Sequence, residues 1–192
     1  GRIIGKGTYG SVDIVENRVT KQLYARKRCQ LSPDNLSGLK PFQREVKIMK
    51  MVAHRHVVRL VSAYVQDSCL NIVMSPLAQG TLRQYLDLPT MPQGSAPRIR
   101  SWVGCLSSAL SYLHANRIRH ADIKPQNLLV KESDVYISDF GISRIVSEPD
   151  STSSSISPMT PMYAAPEIAQ HQPHGRKADV FSLGCVVFEM LT

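Results

Sequence analysis

A chain of 192 residues is long enough for one large core or for two small lobes that share a cleft. No apolar run approaches the roughly 18 residues of a membrane span and no signal peptide is visible, so we expect an intracellular protein, cytoplasmic or nuclear. The net charge of +8 comes from residues 1–74, which contain 13 Lys and Arg against 5 Asp and Glu. Basic and aromatic residues do not interleave in this region, which argues against nucleic acid as a partner.

The first third of the chain has the pattern of a small sheet with one helix. Short runs rich in β-branched or aromatic residues, separated by turn residues, predict strands over 2–5, 11–16 and 22–29. Apolar residues recur at helical intervals over 42–52, which predicts an amphipathic helix. Two more strands are predicted over 56–65 and 69–74, after which Pro76 interrupts the sheet.

The remainder of the chain is predicted to be mainly helical. A short helix over 81–88 precedes a flexible stretch over 89–97, and a longer helix over 99–116 has Trp102 on its apolar stripe. A serine-rich polar loop over 147–157 comes before an apolar helix over 178–191. The change from strands to helices near residues 74–77 predicts two lobes with a cleft between them.

The string GKGTYGSV places Gly5, Gly7 and Gly10 in a GxGxxG pattern. This pattern also marks dinucleotide-binding units, but those need a helix directly after the glycines. Here SVDIVE continues as a strand, which is typical of a hairpin that folds over phosphates. Because glycine has no Cβ atom, backbone amides at these positions can approach phosphate oxygens. Taken alone, the string does not exclude an ordinary glycine-rich turn.

Two later strings hold polar residues suited to phosphoryl transfer. RHADIKPQNLLV contains Asp122, Lys124 and Asn127, and SDFGIS contains Asp139. One aspartate can accept a hydroxyl proton, while the asparagine and the second aspartate can hold a metal ion on the triphosphate of a nucleotide. The spacing of the four residues therefore indicates magnesium-assisted phosphoryl transfer.

With these motifs in this order, the sequence resembles a eukaryotic protein kinase domain of the serine/threonine type over essentially its whole length. The resemblance implies ATP and Mg²⁺ as cofactors, with Asn127 and Asp139 as the metal ligands. It implies that Lys27, in YARK, pairs with the α and β phosphates and that Glu45, eighteen residues later, holds Lys27 by an ion pair.

The resemblance also implies roles in transfer to a protein substrate. Asp122 would orient the incoming hydroxyl and accept its proton, and Lys124 would neutralise charge on the transferred group. Thr160, in TPMYAAPE, would bond to both residues in a peptide-positioning loop. A Ser or Thr hydroxyl of a protein is therefore the expected acceptor.

The hinge between the lobes is expected to receive adenine. The resemblance makes Met74 the gatekeeper of the pocket, and the backbone at Ser75 and Leu77 the hydrogen-bonding partner of the purine edge. The roof of the pocket is implied to consist of Ile4, Val12 and Ala25.

Four further residues are implied to have structural roles. His120 and Phe140 would stack in the hydrophobic spine, together with Met49 and Leu60. Asp179 would tie the start of the central helix to the backbone of the catalytic loop, and Glu167 would pair with an arginine near the end of the domain.

The resemblance implies an α+β, two-lobed fold that is incomplete in this chain. Residues 1–74 form the N-lobe with a small antiparallel sheet and one helix, 75–78 the hinge, and 79–192 a truncated, mainly helical C-lobe that ends at the central helix. We therefore expect a partial kinase domain from a longer protein, and the isolated fragment could be inactive.

One residue departs from the family pattern. Ala121 replaces the arginine that in many members pairs with a phosphorylated activation loop. We therefore expect that activity does not depend strictly on phosphorylation of Ser155 or Ser157.

The expected function is an ATP-dependent protein serine/threonine kinase. The alternative is a pseudokinase or inactive fragment that acts as a binding or scaffold module, although the presence of Lys27, Glu45, Asp122, Asn127 and Asp139 argues against it. Kinases of small alcohols share parts of the catalytic loop, but they typically lack the Ala-Pro-Glu string that is present here at 165–167.

Overall fold

The structure is a computed structural model that describes residues 2–7, 10–31, 39–90, 94–146, 161–172 and 174–192. Its N-terminal part is a five-stranded antiparallel sheet with the strand order β1-β2-β3-β5-β4. The strands are β1 (Ile3–Gly7), β2 (Gly10–Glu16), β3 (Leu23–Gln30), β4 (Arg59–Gln66) and β5 (Cys69–Ser75).

One helix, α1 (Leu39–Met51), accompanies this sheet. Its buried residues are Glu45, Ile48 and Met49, which recur at the three- and four-residue spacing of one helix face. The helix begins three residues before the predicted residue 42. Pro41 lies in its first turn, where an α-helix does not use the backbone N–H that proline lacks, so proline is tolerated there. Helix α1 therefore presents a carboxylate, Glu45, from an otherwise apolar face.

Only part of the strand predicted over 56–65 belongs to the N-terminal sheet. Residues from Arg59 onward form β4, but Val58 N–H donates to Ile137 O at 3.0 Å and Ile137 N–H donates to His56 O at 2.9 Å. This short segment therefore pairs with the helical part and connects it to the sheet.

The C-terminal part contains α2 (Leu82–Leu86), α3 (Ser95–Ala115), α4 (Pro166–Ala169) and α5 (Lys177–Leu191). Helix α3 begins four residues before the predicted residue 99. Ser95 is 5% exposed and its hydroxyl lies 2.7 Å from the Tyr85 hydroxyl, so a contact with α2 fixes the first turn. Among the described helices, none is long and apolar enough to cross a membrane.

Short strands that the sequence pattern did not predict shape the region between the lobes. They are β6 (Gly80–Thr81), β8 (Leu128–Lys131) and β9 (Asp134–Ile137) in one small sheet, and β7 (Ile118–Arg119) with β10 (Arg144–Ile145) in another. Four of these strands flank the strings that contain Asp122 and Asp139, and thereby fix where each string leaves its sheet.

The apolar core is one continuous cluster that extends from the sheet into the helical part. It includes Ala25 and Ile48 from the first part, and the fully buried Trp102, Leu106 and Phe140 from the second. The α+β fold with a sheet-rich part and a mainly helical part is therefore as predicted.

An ion pair occupies the face of the sheet that lies opposite Lys27. Asp13 is 1% exposed, and it accepts hydrogen bonds from Arg26 Nε at 2.9 Å and Nη2 at 2.6 Å. The hydrogen bonds from Arg26 lower the pKa of Asp13, although burial opposes them. The pair therefore stabilises the fold above the unfolded pKa of about 3.9, and this contribution is lost as the pH falls through the lower folded pKa.

We expect Arg26→Met to reduce the free energy of unfolding at pH 7 by about 3 kcal/mol, because it leaves a buried carboxylate without its cation. The deficit should shrink as the pH is lowered towards about 4, where Asp13 in the variant can take up a proton. Urea unfolding at several pH values measures both effects. In the control variant Asp13→Leu/Arg26→Met, both charges are absent and most of the stability should return. A deficit independent of pH would contradict this account.

Candidate active site

Three charged residues from distant parts of the sequence contact one another next to strand β3 of the sheet. Lys27 Nζ lies 2.9 Å from Glu45 Oε1, 3.0 Å from Glu45 Oε2 and 2.8 Å from Asp139 Oδ1. Lys27 lies on β3, Glu45 on α1, and Asp139 follows β9, 112 residues after Lys27. We call Lys27, Glu45 and Asp139 the charged cluster.

The charged cluster has one ammonium and two carboxylates, so its formal charge with all three groups ionised is −1. Burial raises the pKa of Glu45, and the ion pair with Lys27 opposes this shift. Burial opposes the charged form of Lys27, but Glu45 and Asp139 outweigh it and raise the pKa of the lysine. Burial likewise opposes ionisation of Asp139, but Lys27 outweighs it and lowers the pKa of that carboxyl. The side chain of Asp139 is 38% exposed, whereas that of Glu45 is 7% exposed. The unbalanced negative charge is therefore accessible at Asp139 and attracts a further cation.

A second group of polar residues surrounds Asp122. Asn127 Nδ2 donates to Asp122 O at 2.8 Å and to Asp122 Oδ2 at 2.7 Å, and Lys124 Nζ lies 2.9 Å from the same Oδ2. Because both amide hydrogens of Asn127 are directed at Asp122, its Oδ1 oxygen is the atom that remains for a cation. The short 3₁₀ helix Pro125–Asn127 turns the chain back and makes these contacts possible.

His120 and Ser138 connect these two groups. Ser138 N–H donates to Asn127 O at 2.9 Å, and His120 Nε2 lies 2.9 Å from Ser138 O. Asp122 N–H donates to His120 Nδ1 at 3.2 Å, so Nε2 is the nitrogen that faces Ser138 O. His120 is fully buried and its ring centroid lies 5.2 Å from that of Phe140. Both imidazole nitrogens therefore contact nearby backbone atoms, and the ring packs against Phe140.

Asp179 at the start of α5 holds the loop before Asp122. Its carboxylate accepts hydrogen bonds from His120 N–H at 2.9 Å and Ala121 N–H at 2.8 Å, and His114 Nε2 lies 2.9 Å away. Ala121 has a φ of 68°, in the left-handed region that is costly for residues other than glycine. The hydrogen bonds that His120 N–H and Ala121 N–H donate to Asp179 stabilise this strained backbone conformation.

The glycine-rich string begins in β1 and ends in β2, where Gly7 pairs with Gly10. Gly5 pairs with Val12, and a Cβ atom at Gly5 would meet Val12 at 3.9 Å, which is ordinary contact. At Gly10, with a φ of 137°, a Cβ atom would lie 1.8 Å from Arg28 O. Gly10 is therefore required by the close approach of β3, a reason that the motif itself did not reveal. Gly7 ends β1.

The residues expected around adenine come together along the middle of the sheet. Ala25 pairs with Met74, and Val12 pairs with Lys27, so roof, gatekeeper and lysine lie on adjacent strands. Ala25 and Met74 are 6% and 8% exposed. Ser75 ends β5 and Leu77 follows in the connection to α2, and Ile4 on β1 is 43% exposed.

Thr160, Ser155 and Ser157 lie outside the described residues. Glu167 lies in the first turn of α4, and its carbonyl oxygen accepts a hydrogen bond from Gln172 N–H at 2.7 Å.

The structure adds residues that the motifs did not indicate. Ser143, fully buried, donates its hydroxyl to His120 O at 2.8 Å, and Tyr163 OH donates to Glu189 Oε2 at 2.8 Å. For the contacts of Tyr163, the available signal was the presence of Ser182 and Glu189 within the mainly apolar helix α5.

Comparisons with known proteins show which family the chain is similar to. The family model described as protein kinase domain matches residues 1–192. The chain is 31% identical over 97% of its length to serine/threonine-protein kinase Nek3 of Oryza sativa subsp. japonica, covering 32% of that protein. It is 32% identical over 100% of its length to mitogen-activated protein kinase kinase kinase A of Dictyostelium discoideum, covering 21% of it. It is also 32% identical over 98% of its length to serine/threonine-protein kinase 36 of Pongo abelii, covering 14%. The chain therefore spans about a third or less of these relatives.

Proposed function

Because the chain belongs to the protein kinase family, we propose that it transfers the γ-phosphoryl group of ATP to serine or threonine hydroxyls of protein substrates. The charged cluster carries this proposal. Lys27 Nζ contacts both oxygens of Glu45, which is the ion pair that phosphoryl transfer by this family requires, and it also contacts Asp139, the proposed metal ligand. Residues 1–74, 75–78 and 79–192 are proposed as N-lobe, hinge and partial C-lobe.

On the nucleotide side, the lysine of the charged cluster would bind the α and β phosphates. Glu45 and Asp139 hold its ammonium group in one place, so little side-chain entropy remains to be lost on binding. The apolar surfaces of Val12, Ala25 and Met74 suit adenine, with Ile4 at the edge of the roof. Backbone groups at Ser75 and Leu77 are proposed to bond the purine edge, and Gly5, Gly7 and Gly10 to lie over the phosphates.

Asn127 and Asp139 fit a Mg²⁺ ion by their chemistry. Asn127 offers an amide oxygen, and Asp139 offers an accessible carboxylate in the charged cluster. Both are hard oxygen ligands. The described residues contain no group of three or more His, Cys, Asp or Glu that could hold a metal ion. When bound, Mg²⁺ would neutralise phosphate charge.

Asp122 is proposed to accept the proton of the substrate hydroxyl. Its carboxylate is oriented by Asn127 and lies 2.9 Å from Lys124 Nζ, which can then stabilise charge that develops on the transferred group. His120 is proposed as a packing residue and not a general base, since its ring nitrogens contact Asp122 N–H and Ser138 O. Thr160 is proposed to bond to Asp122 and Lys124.

Two proposals concern regulation and stability. With Ala121 in place of arginine, we propose that activity does not require phosphorylation of Ser155 or Ser157. Glu167 is proposed to pair with an arginine of the parent protein.

The proposal is tested by Mg²⁺-dependent transfer of labelled γ-phosphate from ATP to a generic basic protein. Asp139→Asn should reduce incorporation by about 10²–10³-fold, because it removes the charge that attracts the metal ion. Asp134→Asn, a matched change of a partly exposed carboxylate on β9, should leave incorporation unchanged. Equal incorporation by the parent and Asp139→Asn would contradict the mechanism, whereas no incorporation by the parent would favour the pseudokinase alternative.

A further inference from the structure

A cavity of about 590 Å³ lies on the face of the sheet that is opposite the candidate active site. Arg26 lines it, and successive residues of a strand point to opposite faces of a sheet, so the cavity and Lys27 are on different sides of β3. The volume is within the range of about 300–1,000 Å³ that is usual for binding sites. The proposed phosphoryl transfer does not use this cavity.

Apolar and aromatic side chains make up much of the cavity lining. Val73 on β5 is 8% exposed, and Val61 on β4 is 42% exposed. Val15 and the rings of Tyr24 and Tyr64 complete this part of the lining. The cavity therefore offers apolar contacts to a side chain that inserts into it.

An irregularity in the pairing of β4 with β5 contributes Val61 to the cavity. Leu60 pairs with Met74 and Ser62 pairs with Val73, so Val61 is the extra residue between two successive pairs. Such bulges bend a strand and turn a side chain in a direction that regular pairing would not give. The irregular register therefore accounts for an exposed valine at the cavity.

A polar network at the cavity holds one guanidinium group in place. Arg26 Nε and Nη2 donate to Asp13, and Nη1 donates to the Tyr64 hydroxyl at 3.2 Å. Among the described residues, these bonds use three of its five N–H groups. The side chain of Arg26 is 18% exposed, so its remaining N–H groups can donate to an acceptor in the cavity.

The described residues around the cavity have an excess of positive charge. The buried ion pair of Arg26 is neutral, and Glu16 at the cavity is paired with Lys21 at 3.1 Å. Two exposed arginines remain, Arg18 in the cavity lining and Arg28 two residues after Arg26 on the same face of β3. Together they add two positive charges, which attract a carboxylate-bearing partner.

We infer that this cavity is a docking site for an acidic segment of a partner protein, with apolar side chains in the cavity and carboxylates at Arg18 and Arg28. A concave apolar lining accepts individual side chains, whereas a membrane surface or a nucleic-acid duplex cannot enter it. A second copy of the same positively charged face would be repelled. The inference does not rest on the proposed function, because binding to this face requires no phosphoryl transfer.

Fluorescence anisotropy of a labelled peptide with the full-length protein tests this inference. The probe is an extended peptide of about eight alternating Glu and Leu residues. It should bind at least about tenfold more tightly than the same peptide with Lys for Glu or with Ser for Leu. Raising NaCl from about 0.05 M to about 0.5 M should weaken its binding, because salt screens exposed charges. Saturating ATP with Mg²⁺ should change its Kd less than about twofold, since the nucleotide is proposed to bind on the other face.

Two valines on β4 provide a matched pair of variants. Val61→Glu places a carboxylate at the cavity and should weaken peptide binding by at least about tenfold. Val65→Glu makes the same change at a valine that is 59% exposed and does not line the cavity, so it should weaken binding less than about twofold. Arg18→Glu should act in the direction of Val61→Glu. Because none of these residues belongs to the candidate active site, phosphate transfer to a generic basic protein should be the same in all three variants as in the parent.

Three results would overturn the inference. The first is binding of the Glu-Leu peptide no tighter than that of the Lys-Leu peptide. The second is an equal loss of binding in Val61→Glu and Val65→Glu, because it would place the peptide outside the cavity. The third is tighter binding of phosphatidylserine vesicles or of a DNA duplex than of the peptide, with loss of that binding in Val61→Glu, because it would indicate a partner of another class.

Discussion

Asp122→Asn is expected to lower kcat by about 10²–10⁴-fold, the usual contribution of a positioned general base. An asparagine at this position has nearly the same shape and can still accept a hydrogen bond from Asn127 or Lys124. It cannot accept the proton of a substrate hydroxyl at neutral pH. The loss should therefore appear in the chemical step, and the fold should be retained.

Steady-state kinetics with a protein substrate, together with ATP binding followed by thermal shift, separate these effects. ATP binding should be unchanged, because the charged cluster does not include Asp122. A kcat within about threefold of the parent would show that Asp122 is not the base. A parallel loss of ATP binding would show that the variant disturbs the fold.

Asp179→Ala is expected to reduce the free energy of unfolding by about 3–5 kcal/mol. Asp179 is 2% exposed, and its removal leaves His120 N–H, Ala121 N–H and His114 Nε2 without their acceptor. Buried donors without partners cost about 1–3 kcal/mol each, and the left-handed backbone at Ala121 would lose its support. Activity should fall with stability, because the loop that carries Asp122 starts at these residues.

Chemical denaturation measures this effect, with Asp179→Asn as a milder variant in case the alanine variant does not fold. The asparagine retains one acceptor but directs an NH₂ group at a donor, so its loss should be intermediate. Asp134→Ala on β9, where the carboxylate pairs with Arg55 at 3.8 Å, should change stability by less than about 0.5 kcal/mol. A loss below about 1 kcal/mol for Asp179→Ala would contradict the anchoring role.

Helices and strands were predictable from the sequence where one of their faces is apolar over several helical turns or over several alternating residues of a strand. Helix α1 was predicted over 42–52 and spans Leu39–Met51, and α5 was predicted over 178–191 and spans Lys177–Leu191. The start of α3 was wrong by four residues, because the contact between Ser95 and Tyr85 depends on α2. Two-residue strands such as β6 and β7 have no period of their own, so only their partners define them.

The family of the chain and the candidate residues for its chemistry can be identified from the amino-acid sequence. Side-chain type and local spacing suffice for that, because Asp122, Lys124 and Asn127 lie within six positions of one another. The contacts between the candidates, in contrast, are visible only in the folded protein. The tertiary structure joins Lys27 to Asp139 and Arg83 to Glu189, and it shows that Gly10 is needed against Arg28 O. Contacts between distant segments depend on how strands and helices pack, and the local pattern of residues does not specify that packing.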